Sequence, residues 1–242
     1  MGYKASMIII KEPSNEIGDD DLLRKLGFPD FSFCGDTTLE ECMYPNDKSI
    51  NLGHFNNCLI ISDDYQLTTF LEQSNSAQSL TEYERVLTEL YPNSEILTVA
   101  CHSAVNYHLY SLVKDRVKIR FKKAVHGEPL IEYGSRIDEE EKVYAYSKVV
   151  DGRRVFRSTY KDDEIYEYTE DQMMEDFTFG VAKRLLGVMI STDEDEELIF
   201  DIPFKKYAAN KLIENKKEEV QNKPVATAQA KGSWLARLFK KS

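Results

Sequence analysis

The chain has 242 residues, 42% of them apolar and 30% charged, with a formal charge of −11. That balance belongs to a globular domain with a sizeable core, and it excludes disordered and collagen-like classes. No apolar run approaches the roughly 20 residues of a membrane-spanning helix, and the start has no export-signal pattern, so the chain is expected in the cytoplasm.

In chain order, Ala5–Ile10 reads as a buried first strand. Asp19-Asp20-Asp21 opens a short helix, with acids at the end that the helix dipole favours. Thr37-Thr38-Leu39-Glu40 starts another helical turn, which Tyr44-Pro45 ends. Strands are expected over Ser49–Phe55 and Cys58–Ser62, joined at Asn56-Asn57, where asparagine tolerates positive φ. Asp64–Gln73 is expected to be helical. A clearer helix follows, with Ser79 as its cap, Glu82 completing a capping box, and Leu80, Tyr83, Val86, Leu87, Leu90 and Tyr91 on one face.

From Ile96 the period becomes two. Ile96–Cys101 reads as an apolar strand and Val105–Tyr110 as a long strand that turns at Lys114-Asp115-Arg116 into Val117–Phe121. Asp151-Gly152 between Val143–Val150 and Arg153–Tyr160 is the strongest hairpin signal. Thr169 caps a second long helix through Val188, and residues 193–197 form an acidic loop. Leu198–Phe204 is read as a last strand, Lys206–Gln221 as a charge-rich helix and 222–233 as a flexible linker. The sum is an α+β domain over 1–205: a mostly antiparallel sheet with a few covering helices, followed by the charged helix 206–221, the linker, and an amphipathic C-terminal helix over 234–241.

This order of pieces resembles a bacterial family catalogued only as a domain of unknown function. The resemblance spans roughly residues 1–205. It rests on Met1-Gly2-Tyr3-Lys4 before the first strand, Thr38-Leu39, Tyr44-Pro45 and Gly53. His102-Ser103, Leu185-Leu186-Gly187 and Asp201-Ile202-Pro203 complete it. It implies one compact domain and carries over no chemistry.

Site candidates in the body are few. Cys34, Cys42, Cys58 and Cys101 form no CxxC pair and are expected to be reduced thiols. Cys101, His102 and Ser103 mark a candidate pocket. Neighbours on a strand point to opposite faces, so Cys101 and His102 cannot form a dyad with each other. His102, Asn106 and His108 share strand parity, and at about 3.3 Å per residue His102 and His108 are expected roughly 20 Å apart, too far to share a metal. The chain has no P-loop, GxGxxG, GxSxG or HExxH motif, and no metal or cofactor is expected.

The last twelve residues, KGSWLARLFKKS, carry the strongest signal. On a helix, Trp234, Leu235, Leu238 and Phe239 fill an arc of about 140°, while Arg237, Lys240 and Lys241 occupy the other side. Residues 222–242 hold five bases and no acid, which leaves −16 (26 bases against 42 acids) for residues 1–221. An acidic body argues against nucleic-acid binding. The tail resembles the C-terminal membrane-targeting helices of bacterial division-site-placement ATPases and actin-like division proteins. That resemblance implies no ATPase activity here. The reading is a non-enzymatic cytoplasmic domain, peripheral at the inner face of the membrane, whose residues 231–242 dock on an anionic surface or a partner protein. The alternatives are an inhibitor- or immunity-type interaction module with an acidic face, and an enzyme with a dispersed site near His102.

Overall fold

A computed structural model of the chain describes residues 3–44, 47–73, 76–159, 165–190 and 199–213. The elements run β1 (Lys4–Lys11), α1 (Asp19–Lys25), β2 (Phe31–Thr38), α2 (Leu39–Met43), β3 (Ile50–Phe55), β4 (Cys58–Asp63), α3 (Glu82–Leu90) and β5 (Ile96–His102). They continue with β6 (Tyr107–Lys114), β7 (Val117–Val125), β8 (Ile131–Tyr133), α4 (Asp138–Tyr144), β9 (Ser147–Val150), β10 (Arg153–Thr159), β11 (Ile165–Tyr168), α5 (Met174–Leu186) and β12 (Pro203–Ala209). Nine strands form one sheet in the order β2-β12-β3-β4-β1-β5-β6-β7-β8, with every neighbouring pair antiparallel. β9, β10 and β11 form a second, three-stranded sheet. The fold is therefore α+β, as its sequence pattern predicts.

Both faces of the large sheet are covered. Met7, Ile9, Ile60, Val99 and Tyr110 share one core with residues of α2, α4, α5 and Phe156 of β10. Ile8, Ile10, Ile61, Ile96 and Leu109 share the other with residues of α1 and α3. Most antiparallel sheets wet one face and alternate polar with apolar. Here β1 and β4 are buried at successive positions, which is why Met7–Ile10 and Cys58–Ile61 are unbroken apolar runs.

β7 breaks the apolar rule in a systematic way. Lys118, Arg120 and Lys122 are all buried, a costly state for cations unless each is paired. Each is paired. Lys118 Nζ meets Glu84 of α3 at 3.0 Å, Arg120 meets Glu140 of α4 at 2.7 Å, and Lys122 meets Glu170 at 2.8 Å. A β-bulge decides which layer each one serves: Leu112 faces Arg120 but Val113 faces Lys118, so Ile119 is an extra residue. Lys118 thus turns to α3 on one face, while Arg120 and Lys122 turn to α4 and the chain before α5 on the other.

Gly53 has a packing reason. It faces Phe204 across β3 and β12, and a Cβ there would lie 2.5 Å from the Phe204 ring. Gly53→Ala is expected to lower stability by about 1–3 kcal/mol, because the buried ring must move. Urea unfolding measures it, and an unchanged midpoint would show that the ring relaxes freely.

Several local expectations shift. The α3 cap is Thr81, two residues beyond Ser79, and Glu84 rather than Glu82 closes the box: Thr81 N–H donates to the Glu84 carboxylate at 2.7 Å. Glu84 is fixed there because it also holds Lys118 and accepts from Ser111 Oγ at 2.6 Å. Asp64–Gln73 contains only a 3₁₀ turn, Thr68–Glu72. Val143 and Tyr144 belong to α4 rather than to the following strand.

The largest correction concerns the chain after 202. Lys206–Ala209 continues β12 instead of opening a helix, and β12 sits between β2 and β3. Phe204 and Tyr207, an odd number of residues apart, supply one buried ring to each core, and that pairing overrides the helical propensity of the Lys-rich stretch. A helical turn begins at Asn210. The remainder of the expected helix 206–221 past residue 213, the linker and the tail helix lie outside the described residues. No helix among the described residues is long and apolar enough to cross a membrane.

Candidate functional site

The site begins with a turn. Ser103–Val105 form one 3₁₀ turn, and Asn106 then adopts φ +47° and ψ +50°, a left-handed conformation that asparagine accepts more readily than most residues. The chain therefore reverses between His102 and Tyr107, and residues 102–108 are two strands of a hairpin instead of one. The 20 Å separation expected for a continuous strand does not apply. Cys101 stands directly opposite His108, and His102 opposite Tyr107.

Residues opposed in an antiparallel pair share a face, so Cys101 and His108 leave the sheet together on the side of α5. Glu175 enters from the first turn of α5, where a carboxylate complements the helix dipole. One donor atom from each of Cys101, His108 and Glu175 lies within 4.8 Å of the other two. Ser103 completes the group. Its Oγ lies 3.5 Å from Cys101 Sγ, accepts from Tyr3 N–H at 3.3 Å and donates to the Glu175 carboxylate. Tyr65 hydroxyl donates to the Cys101 carbonyl at 2.6 Å, and Asn106 side-chain N–H donates to Asp171 at 3.1 Å, fixing both ends of the turn.

Cys101 is fully buried and His108 is 3% exposed. Burial pushes the Cys101 thiol up to about 12; the Ser103 hydrogen bond opposes the shift and the Glu175 charge adds to it. Burial alone pulls His108 down to about 4. Near neutral pH the thiol is protonated and the imidazole neutral, so this is no activated thiolate–imidazolium pair of the kind cysteine nucleophiles require. The neutral ring leaves a lone pair available, and His108 Nδ1 is buried with no hydrogen-bond partner among the described residues.

Of the pocket read from sequence, Cys101 and Ser103 do come together. His102, of opposite parity, falls on the other face of the sheet, and its Nδ1 is likewise buried without a partner among the described residues. His108 and Glu175 are the members that sequence reading missed. Recognising Asn106 as the turn would have found His108 by parity; Glu175, 72 residues from Ser103, leaves no local signal. Trp234, Leu235, Arg237, Leu238, Phe239, Lys240 and Lys241 lie outside the described residues. Comparison with family models, with curated proteins and with solved structures finds no match to this chain.

Proposed function

We propose that this chain is an acidic binding domain, not a catalyst, that attaches reversibly to an anionic membrane surface through residues 231–242. The observation that carries the proposal is the charge contrast: +5 over residues 222–242 against −16 over residues 1–221. Such a body is repelled by an anionic leaflet, while the bases of the tail gain roughly 1 kcal/mol each near it. Twelve residues of the 222–233 composition reach about 17–21 Å, beyond the Debye length of about 8 Å, so tail and body act separately. Burying four large apolar side chains only partly, and folding a short helix in the process, makes the attachment weak and reversible.

Trp234 is the sole tryptophan and reports the event directly. Its emission is expected to shift to the blue with phosphatidylglycerol-containing vesicles and not with neutral phosphatidylcholine vesicles. Removing residues 231–242 is expected to abolish co-sedimentation. Equal pelleting with and without the tail, or emission already blue-shifted in buffer and indifferent to lipid, would rule this function out.

A further inference from the structure

We propose that Cys101, His108 and Glu175 bind a single divalent transition-metal ion of the zinc class, with Ser103 supporting the site. The proposal stands on geometry and is independent of the membrane reading. The three donors come from β5, β6 and the first turn of α5, and their atoms lie within 4.8 Å of one another. Tetrahedral zinc, with bonds of about 2.0–2.3 Å, holds its ligands roughly 3.3–3.8 Å apart. Drawing the donors inward by about 1 Å meets that requirement, a movement within the reach of side-chain rotation.

The second observation is His108. A histidine 3% exposed, with an Nδ1 that has no partner among the described residues, is an unexplained cost in an apolar layer, since buried polar atoms are nearly always satisfied. A metal bond is one way to satisfy it. The hydrogen bonds around the site fit the same reading. Ligand carboxylates and imidazoles are ordinarily oriented by an outer ring of partners, and here the Ser103 hydroxyl, itself held by Tyr3 N–H, donates to Glu175.

The donor set selects the class of ion. A thiol and an imidazole do not suit calcium or magnesium, which take oxygen ligands. Thiolate, imidazole and carboxylate together suit zinc, and cobalt as its spectroscopic substitute. Coordination requires Cys101 to release its proton to solvent as the sulfur–metal bond forms. With Cys101 and His108 buried and Glu175 half-buried, the ion acts as a clamp: it ties the β5–β6 hairpin to the start of α5.

The test uses the full chain, freed of metal with a chelator and titrated with cobalt. Expected are one cobalt per chain, a thiolate-to-cobalt charge-transfer absorption in the near ultraviolet, and loss of that band when zinc is added. Cys101→Ser removes the band and Cys34→Ser keeps it. Glu175→Gln, at a partly exposed helix start, retains the far-ultraviolet dichroism and weakens zinc by at least about tenfold; Ser103→Ala weakens it by about 10–100-fold. Failure to take up one equivalent, uptake with no thiolate band, or a band that survives Cys101→Ser overturns the proposal. Should Cys101→Ser not fold, Glu175→Gln decides alone: unchanged affinity overturns it.

Discussion

Glu140→Ala is expected to cost about 3–5 kcal/mol of folding free energy, among the largest single-residue losses in this domain. Glu140 is fully buried and serves four donors. Arg120 Nε approaches its two oxygens at 3.0 and 2.8 Å, and Arg120 Nη2 lies 2.7 Å away. Tyr110 hydroxyl donates at 2.6 Å, and Ile137 N–H at the start of α4 donates at 3.0 Å. Removing the carboxylate strands a guanidinium that is 1% exposed. Glu132 at 2.6 Å would remain, but its side chain is 42% exposed and well hydrated, so it cannot replace the buried acid. Glu132→Ala should accordingly cost about 1 kcal/mol or less. Urea unfolding of the two variants separates them; equal losses would mean that the buried arrangement carries no special weight.

At Lys122 the two halves of the pair are expected to behave very differently. The ammonium lies 3.7 Å from the Phe177 ring centroid and 4.8 Å from that of Tyr144, with Tyr144 hydroxyl at 2.7 Å and Glu170 at 2.8 Å. Glu170→Ala leaves a fully buried ammonium without its acid and should cost about 3 kcal/mol, the low end for a buried pair because Glu170 is 22% exposed. Lys122→Met keeps the volume and gives the rings a thioether, so about 1–1.5 kcal/mol is expected. Tyr144 hydroxyl still donates to Glu170 in that variant.

The pH dependence distinguishes these losses further. Burial holds the Lys122 ammonium below its ordinary value, and Glu170 opposes that shift. Without Glu170 the folded-state value falls further, so between it and the unfolded value the unfolded chain binds more protons. Stability of Glu170→Ala therefore rises, relative to the parent, as pH is raised through the range below the ordinary lysine value. Thermal unfolding across that range measures it. A flat or falling difference would show that Lys122 finds another acid or reaches water.

The large-scale architecture was legible because burial on both sheet faces writes itself into the chain as unbroken apolar runs, Met7–Ile10 and Cys58–Ile61. Elements whose stability comes from a distant partner were not. β2 carries Gly35 and Asp36 at the sheet edge and holds its place through its ladder with β12. α4, to which the sequence pattern assigns no helix, opens with four acids, Asp138 to Glu141, and is held by Arg120 beneath Glu140. β12 resembles a helix start, and only Phe204 and Tyr207 in opposite cores explain its extension. The candidate site divides in the same way. Cys101 and Ser103 are close in sequence and were found together, whereas His108 depends on one left-handed asparagine and Glu175 on how α5 lies across the sheet.

Ile119 gives β7 something like a reading frame. On its N-terminal side the inward-pointing cation is addressed to α3; on its C-terminal side, to α4 and the segment before α5. The two neutral residues between the cations are therefore not equivalent. Deleting Phe121 would make Arg120 and Lys122 strand neighbours on opposite faces and turn one of them away from its acid. Deleting Ile119 would leave Lys118 opposite Val113 and Arg120 opposite Leu112 in a regular ladder. Loss of the extra residue is thus the one length change in this strand that keeps every cation addressed to its own layer.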